Sequence, residues 1–393
     1  MNKFFIAPIY IIFLISLGLS THLLLDFEVV ELMSEIKLVL AIILFLLLVI
    51  STLKETRKIS VQSVLLLLLF PMYQVLVSFL YKDDIDIVLL ISHIMWISIA
   101  LILIPISIRR IKNYNAIFLI SLIAVFMVII LGYILSYNEG SYSMLSLGRF
   151  TLGYENPNYF AQFLQIGIVS VTFLYLNNHK KNKFILFLLL FLLLILLSAS
   201  ESRNVLSFIV TFFFFMLIKK NAIRKIFYFL IFIVTFVILL LASERSDIDK
   251  LSSGRITYWH ELTDAVHSQA ELTPILGQKR HVEVNSVQWY GRLSEVQSDA
   301  RKIQHADNMY LEVYLTTGVV GLIFLLFTFI YPVLKSKKYF GSEFLSRFLT
   351  SVLISYLIQA FFITNLLSLF SPASIFFVII YGIYIAESRK ELP

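Results

Sequence analysis

The sequence contains no cysteine among its 393 residues, which excludes disulfides, thiolate metal sites and a cysteine nucleophile. Charge is also scarce: Asp, Glu, Lys and Arg make up 15% of the chain against 59% hydrophobic residues. With a mean hydropathy of +0.88, this exceeds what a soluble core of that size needs, and the chain reads as a polytopic membrane protein. The histidines His260, His267, His281 and His305 show no HExxH spacing and have no thiolate partner, so neither a zinc site nor any other cofactor is expected. The glycines form no phosphate loop; Thr316, Thr317, Gly318 and Gly321 read as close helix packing. The formal net charge of +7 is explained by cytoplasmic anchoring residues, not by nucleic acid.

What is abundant is long apolar runs. A span needs about 20 mostly apolar residues, and twelve such runs are expected, at 4–24, 38–53, 61–81, 87–108, 116–136, 159–176, 184–199, 205–218, 226–242, 309–334, 346–364 and 368–386. The first follows Lys3 and lacks a small-residue cleavage site, so it is kept as a span and not a signal peptide. The expected fold is therefore an all-α integral membrane protein of about 12 transmembrane helices. It divides into helices 1–9 over residues 1–242, a large extracytoplasmic loop over 243–307, and helices 10–12 over 308–393.

Basic residues fix the expected orientation. Counted on alternate sides, one side takes 20 of the 32 Lys and Arg residues, among them Lys54, Arg109, Lys180, Lys219, Lys335 and Lys390. The other side takes Lys37, Lys82, Arg149 and Arg203 in short loops and eight in the long loop. Both termini are expected in the cytoplasm, with the long loop outside. Arginine makes up seven of the twelve outer basic residues but six of the twenty inner ones. Its planar fork suits phosphate or carboxylate, although loop solubility is an alternative account of the bias.

Several polar motifs fall at the outer ends of spans. The stretch from Arg149 through Gly153, Tyr154, Glu155, Asn156 and Pro157 to Asn158 precedes the sixth span, with Asn158 expected to cap it. Glu201, Ser202, Arg203 and Asn204 form a short turn between the seventh and eighth spans, and Arg203 there needs a partner or a role. In the long loop, Ile256, Trp259, Leu262 and Val266 share one helical stripe, and Trp289, Leu293, Val296, Ala300 and Ile303 another, as in amphipathic surface helices. Trp259 is an interface anchor or a platform for a sugar ring. If helix runs through the entry of the tenth span, His305, Asn308 and Glu312 share a face, and a histidine near its neutral pKa can take a proton from a sugar hydroxyl. The sixth, eighth and tenth spans all begin at the outer surface, and their N-termini with several arginines suit an anionic ligand such as a lipid diphosphate.

These residues resemble the bacterial O-antigen polymerases and the related O-antigen ligases, polytopic glycosyltransferases that use undecaprenyl-diphosphate-linked sugars. The resembling pieces are Gly153 to Ala161, Ser200 to Arg203, Ser253, Gly254 and Arg255 with Trp259, and His305, Ala306, Asp307 and Asn308 on through Glu312 to Gly318 and Gly321. The resemblance implies that Arg203 and Arg255 bind the donor diphosphate and that His305 orients or deprotonates the acceptor hydroxyl. Arg149, Asn156, Asn158, Trp259, Arg280, Asp307 and Asn308 would line the substrate site. Gly277, Gln278, Lys279 and Arg280 depart from the glycine-rich pattern of the family at that point. It further implies metal-independent transfer at the outer face of the bacterial cytoplasmic membrane, among membrane lipids, with a polysaccharide chain-length regulator as a partner. The expected activity is polymerisation of surface polysaccharide repeat units, of O-antigen or capsule. Ligation to lipid A core is the alternative within the family, and a lipid-linked sugar flippase or transporter is the alternative outside it. The span middles are nearly free of charge, with His93 and Gln359 the modest exceptions, whereas a coupled transporter usually carries midplane ionisable residues or broken helices.

Overall fold

A computed structural model describes residues 6–20, 27–52, 61–80, 87–108, 114–138, 145–146, 149–154, 157–177, 182–217, 259, 263, 275, 308–335, 343–362 and 371–388. Among them the structure is almost wholly helical. In chain order the helices are α1 (Ile6–Leu19), α2 (Phe27–Thr52), α3 (Val61–Leu80), α4 (Ile87–Ser98) and α5 (Ile104–Ile108), α6 (Asn115–Asn138), α7 (Pro157–Asn177), α8 (Lys183–Ser200) and α9 (Arg203–Leu217). Later in the chain come α10 (Met309–Lys335), α11 (Glu343–Gln359) and α12 (Pro372–Ser388). Departing from a wholly helical chain, β1 (Leu145–Ser146) and β2 (Arg149–Phe150) form a short antiparallel ladder ahead of α7.

Helix covers each expected span that falls within the described residues, while 226–242 and nearly all of the loop 243–307 lie outside them. Among the described residues, five stretches are long and apolar enough to cross a membrane: Glu28–Ile50, Asn115–Tyr137, Pro157–Asn177, Lys183–Ser200 and Met309–Tyr331. Other helices supply shorter apolar lengths, such as Arg203–Leu217 and Pro372–Glu387. One expectation is corrected at α2, which begins eleven residues before the expected start of the second span. Lys37 is therefore part of a helix and not of a short loop, and its Nζ donates to Ser20 Oγ at 3.2 Å. The charged residues Glu28, Glu31 and Glu35 recur at helical spacing on an exposed face, so helix accommodates them without burying a carboxylate.

The centre of the bundle is α7, buried along almost its whole length and packed on α6, α8, α9 and α12. Aromatic rings fill the interior on one side of it. Phe173 of α7 stacks on Phe118 of α6 at a centroid distance of 3.9 Å, and Phe348 of α11 meets both edge-on. Such pairs contribute about 0.5–1.5 kcal/mol each beyond area burial, and they matter because lipid tails are as apolar as the side chains, leaving packing and polar contacts to hold helices together. At the far end from the ladder, Tyr114 donates to Glu387, tying the start of α6 to the end of α12.

Two helices are irregular. Residues Ile99–Leu103 between α4 and α5 form a π-turn, against which α12 packs. Inside α10, Gly318 has φ 65° and ψ −171°, a combination essentially only glycine adopts. The helix breaks there, so Gly318 is not merely a small packing residue. Gly321 does serve packing: a Cβ on it would collide with Thr317 and come within 3.2 Å of Tyr73 in α3.

Candidate functional site at the N-terminal end of α7

The site is built on the turn that leads into α7. Leu152 and Gly153 both have positive φ, 51° and 79°, and the Tyr154 N–H donates to the Thr151 carbonyl at 3.2 Å, so the chain folds sharply back. This drives Tyr154 into the bundle, where its ring stacks on Phe160 and its hydroxyl donates to the Val128 carbonyl at 3.3 Å. Gly18 and Gly132 make room for it: a Cβ on Gly18 would stand 3.3 Å from the Tyr154 hydroxyl oxygen and one on Gly132 would stand 3.2 Å from Cε2. Burial raises the phenol pKa above its ordinary value, keeping Tyr154 neutral.

The expected cap is corrected at the next step. Helix α7 already includes Pro157 as its first residue, because proline's fixed φ suits the first turn and its missing N–H has no intrahelical partner there anyway. Asn158 lies inside the helix, and its Oδ1 is 2.8 Å from Ser202 Oγ in the turn between α8 and α9. Asn158, Gln162 and Gln165 fall at i, i+4 and i+7 and form a polar stripe down this buried helix. Ser371 Oγ, just before α12, donates to Gln162 Oε1 at 3.0 Å. Gln165 and Gln359 of α11 form a reciprocal amide pair, with bonds of 2.9 and 2.8 Å. Each rung satisfies a polar group that apolar surroundings would otherwise penalise.

The α8–α9 turn is very tight. Glu201 adopts left-handed φ 49° as the residue after α8 and its N–H donates to the Ser198 carbonyl at 3.2 Å. Ser202 is buried and its carbonyl accepts the Leu206 N–H at 2.9 Å. Arg203 then opens α9 with its side chain exposed, between buried Ser202 and buried Asn204.

The start of α10 belongs to the same end of the bundle. Asn308 is buried and its Oδ1 accepts the N–H groups of Tyr310 and Leu311 at 3.0 and 3.1 Å, which makes it the helix cap. Helix α10 thus begins at Met309 with Asn308 as its cap, and His305, expected on one face with Asn308 and Glu312, lies outside the described residues. The Met309 N–H donates to the Ala360 carbonyl at 2.9 Å, and the Tyr310 hydroxyl to that of Leu357 at 2.7 Å, fixing the start of α10 to the end of α11. Helix α11 in turn packs along α9, where Phe208 meets Tyr356 edge-on at 4.7 Å.

The structure thus brings Asn158 to the turn that carries Arg203, and sets Asn308 at the start of α10 against α11. Arg149 lies in β2, the strand just before the Tyr154 turn. Trp259 is helical and half-buried, with Thr263 Oγ1 donating to its carbonyl at 2.7 Å. Asn156, Arg255, Arg280, His305 and Asp307 lie outside the described residues. Sequence reasoning passed over Ser202, Asn204, Gln162, Gln165 and Ser371 as members of this network. The spacing of Asn158, Gln162 and Gln165 in an otherwise apolar run was the available signal.

Helices α7, α9, α10 and α12 all begin at this end, where the helix dipole carries partial positive charge. Arg203, at the first position of α9, adds a full positive charge where the dipole alone would favour a negative one. The arrangement is suited to an anion.

Comparison with known families gives one match: residues 186–326 fit the family described as O-antigen ligase. The matched stretch contains α8 from Leu186 on, α9 and α10 as far as Leu326, and with them Arg203, Arg255, Trp259, Arg280, His305, Asp307 and Asn308. Arg149, Asn156 and Asn158 precede it. No curated protein matches the chain.

Proposed function

We propose that this chain is a membrane glycosyltransferase of the O-antigen polymerase and ligase type, and that it polymerises lipid-linked repeat units of a surface polysaccharide. The observation that carries the reading is Arg203, exposed at the first position of α9 beside the start of α7, within the stretch that fits the O-antigen ligase family. A diphosphate linking a glycan to a polyprenyl lipid is an anion presented at a membrane surface, which is the ligand such an end of the bundle suits.

In the proposed reaction the terminal hydroxyl of an incoming lipid-linked unit attacks the anomeric carbon of the growing chain. The bond from that carbon to the diphosphate oxygen breaks, and polyprenyl diphosphate leaves with the bonding electrons. His305 accepts the hydroxyl proton, while Arg203 and Arg255 take up the charge that develops on the diphosphate. These roles follow the family resemblance residue by residue, and no divalent cation is needed in the step. Arg149, Asn156, Arg280, Asp307 and Trp259 are proposed to line the glycan path. The orientation follows the lysine and arginine distribution: both termini cytoplasmic, the site on the outer face of the bacterial cytoplasmic membrane, and twelve spans in all.

The ligase reading keeps the same donor and differs only in the acceptor, lipid A core. It is favoured by the description of the matching family. Polysaccharide banding from cells deleted for the gene separates the two. Polymerisation predicts that the deletion leaves a single repeat unit on the surface lipid and that wild type restores a ladder. Loss of all surface glycan, with lipid-linked chains accumulating, would instead establish the ligase.

A further inference from the structure

We propose that Asn158, Ser202 and Asn204 are positioning residues that aim Arg203 at the anionic ligand; the proposal rests on the reading of Arg203 as a diphosphate ligand. Arg203 carries a long side chain exposed at the bundle end, while the residues on either side of it are nearly fully buried, Ser202 at 2% and Asn204 at 3% exposure. Its backbone is thus clamped from both sides, leaving the guanidinium outside. The clamp has one centre: Ser202 Oγ lies 2.8 Å from Asn158 Oδ1 and 2.6 Å from Asn204 Oδ1.

Both partners are amide oxygens, so the single Ser202 hydroxyl proton is donated to Asn158 Oδ1 or to Asn204 Oδ1. Asn204 Nδ2 is buried with no partner among the described residues, so Asn204 is held through its Oδ1 alone. The chain of bonds ends on the second residue of α7, behind Pro157 and ahead of the fully buried Phe160, Phe163 and Leu164. It is therefore anchored to the most rigidly packed helix of the bundle. The anchor also holds a backbone turn that would not persist alone, since Glu201 keeps φ 49°, a left-handed conformation that residues with a Cβ rarely adopt. Removing the Ser202 hydroxyl frees that turn, and with it the starting point of α9 and the direction of Arg203. A displacement of about 1 Å in a charged clamp is enough to cost a large factor in affinity or rate.

The test is equilibrium binding of sugar-free undecaprenyl diphosphate to the purified full-length protein in detergent micelles, with the thermal unfolding midpoint measured for every variant. Ser202→Ala and Asn158→Ala are expected to weaken binding by roughly 10-fold, whereas Ser202→Thr, which keeps the hydroxyl, stays within about 2-fold of wild type. In an Arg203→Ala background, Ser202→Ala is expected to add nothing, because it acts only through the arginine. If Ser202→Ala does not fold, Asn158→Ala carries the test, since it leaves the Ser202 and Asn204 contact in place. Wild-type binding by both alanine variants, with Arg203→Ala weakened, would overturn the positioning role and leave the functional reading intact. A loss that recurs undiminished in the Arg203→Ala background would overturn it as well, by showing a general structural effect. Unchanged binding by Arg203→Ala, or no binding by wild type, would overturn the diphosphate assignment and the positioning role together.

Discussion

Gln165 and Gln359, 194 residues apart in sequence, face each other across α7 and α11 with each Nε2 donating to the other's Oε1, at 2.9 and 2.8 Å. Both are fully buried. The pair is a rung in a polar seam that starts at Asn158 and Ser202 and runs inward from the candidate site.

Because the two amides satisfy each other, removing one leaves the other without its partner in an apolar interior. Gln359→Leu or Gln165→Leu alone is expected to destabilise the purified protein by about 1–3 kcal/mol. The double variant, in which neither amide remains to be satisfied, is expected to recover much of that loss. Thermal unfolding of the four proteins in one detergent measures the coupling. Additive losses would show that the two glutamines are not paired.

Gly318→Ala tests the break in α10. Alanine is strained at φ 65°, and the expected cost is about 1–3 kcal/mol. The helix above the break is fastened to α11 through Met309 and Tyr310, and the helix below it packs on α3 through Phe324 and on α12 through the Thr328 carbonyl, which accepts the Tyr381 hydroxyl. A lowered unfolding midpoint is the expected readout; an unchanged or raised one would indicate continuous helix at Gly318.

The lack of native cysteine makes topology directly measurable, since any thiol introduced is the only one in the chain. Glu201 and Lys183 are exposed and stand at opposite ends of α8. A membrane-impermeant maleimide is expected to label Glu201→Cys from outside intact spheroplasts and Lys183→Cys only after permeabilisation. The reverse pattern would invert the orientation.

Much of the helical layout was legible because apolar runs were bounded by lysines and arginines. The runs at 61–81, 87–108 and 184–199 match α3, the α4–α5 segment and α8 within a residue or two. The start of α2 was not legible by hydropathy, since Glu28, Glu31, Glu35 and Lys37 lower the average, although the three glutamates recur on one exposed helical face. The break at Gly318 was hidden because a glycine in an apolar run reads as close packing; only the backbone angles distinguish a kink from a contact.

At the site, the short turn carrying Arg203 between α8 and α9 was evident from sequence, whereas the partner of Asn158 was not. Asn158 before an apolar run reads as a helix cap, and the proline that precedes it had already started the helix. Its contact with Ser202 spans 44 residues, and that of Gln162 with Ser371 spans 209. Such partners are set by how helices pack, which local periodicity does not encode.

The most direct test of the central claim is reconstitution of the purified protein in proteoliposomes with a lipid-diphosphate-linked repeat unit as the only sugar. The account predicts release of polyprenyl diphosphate together with a ladder of glycan multiples on the remaining lipid, undiminished by a metal chelator and abolished in Arg203→Ala and His305→Ala. Failure of wild type to extend the single unit, or normal ladders from both variants, would contradict it.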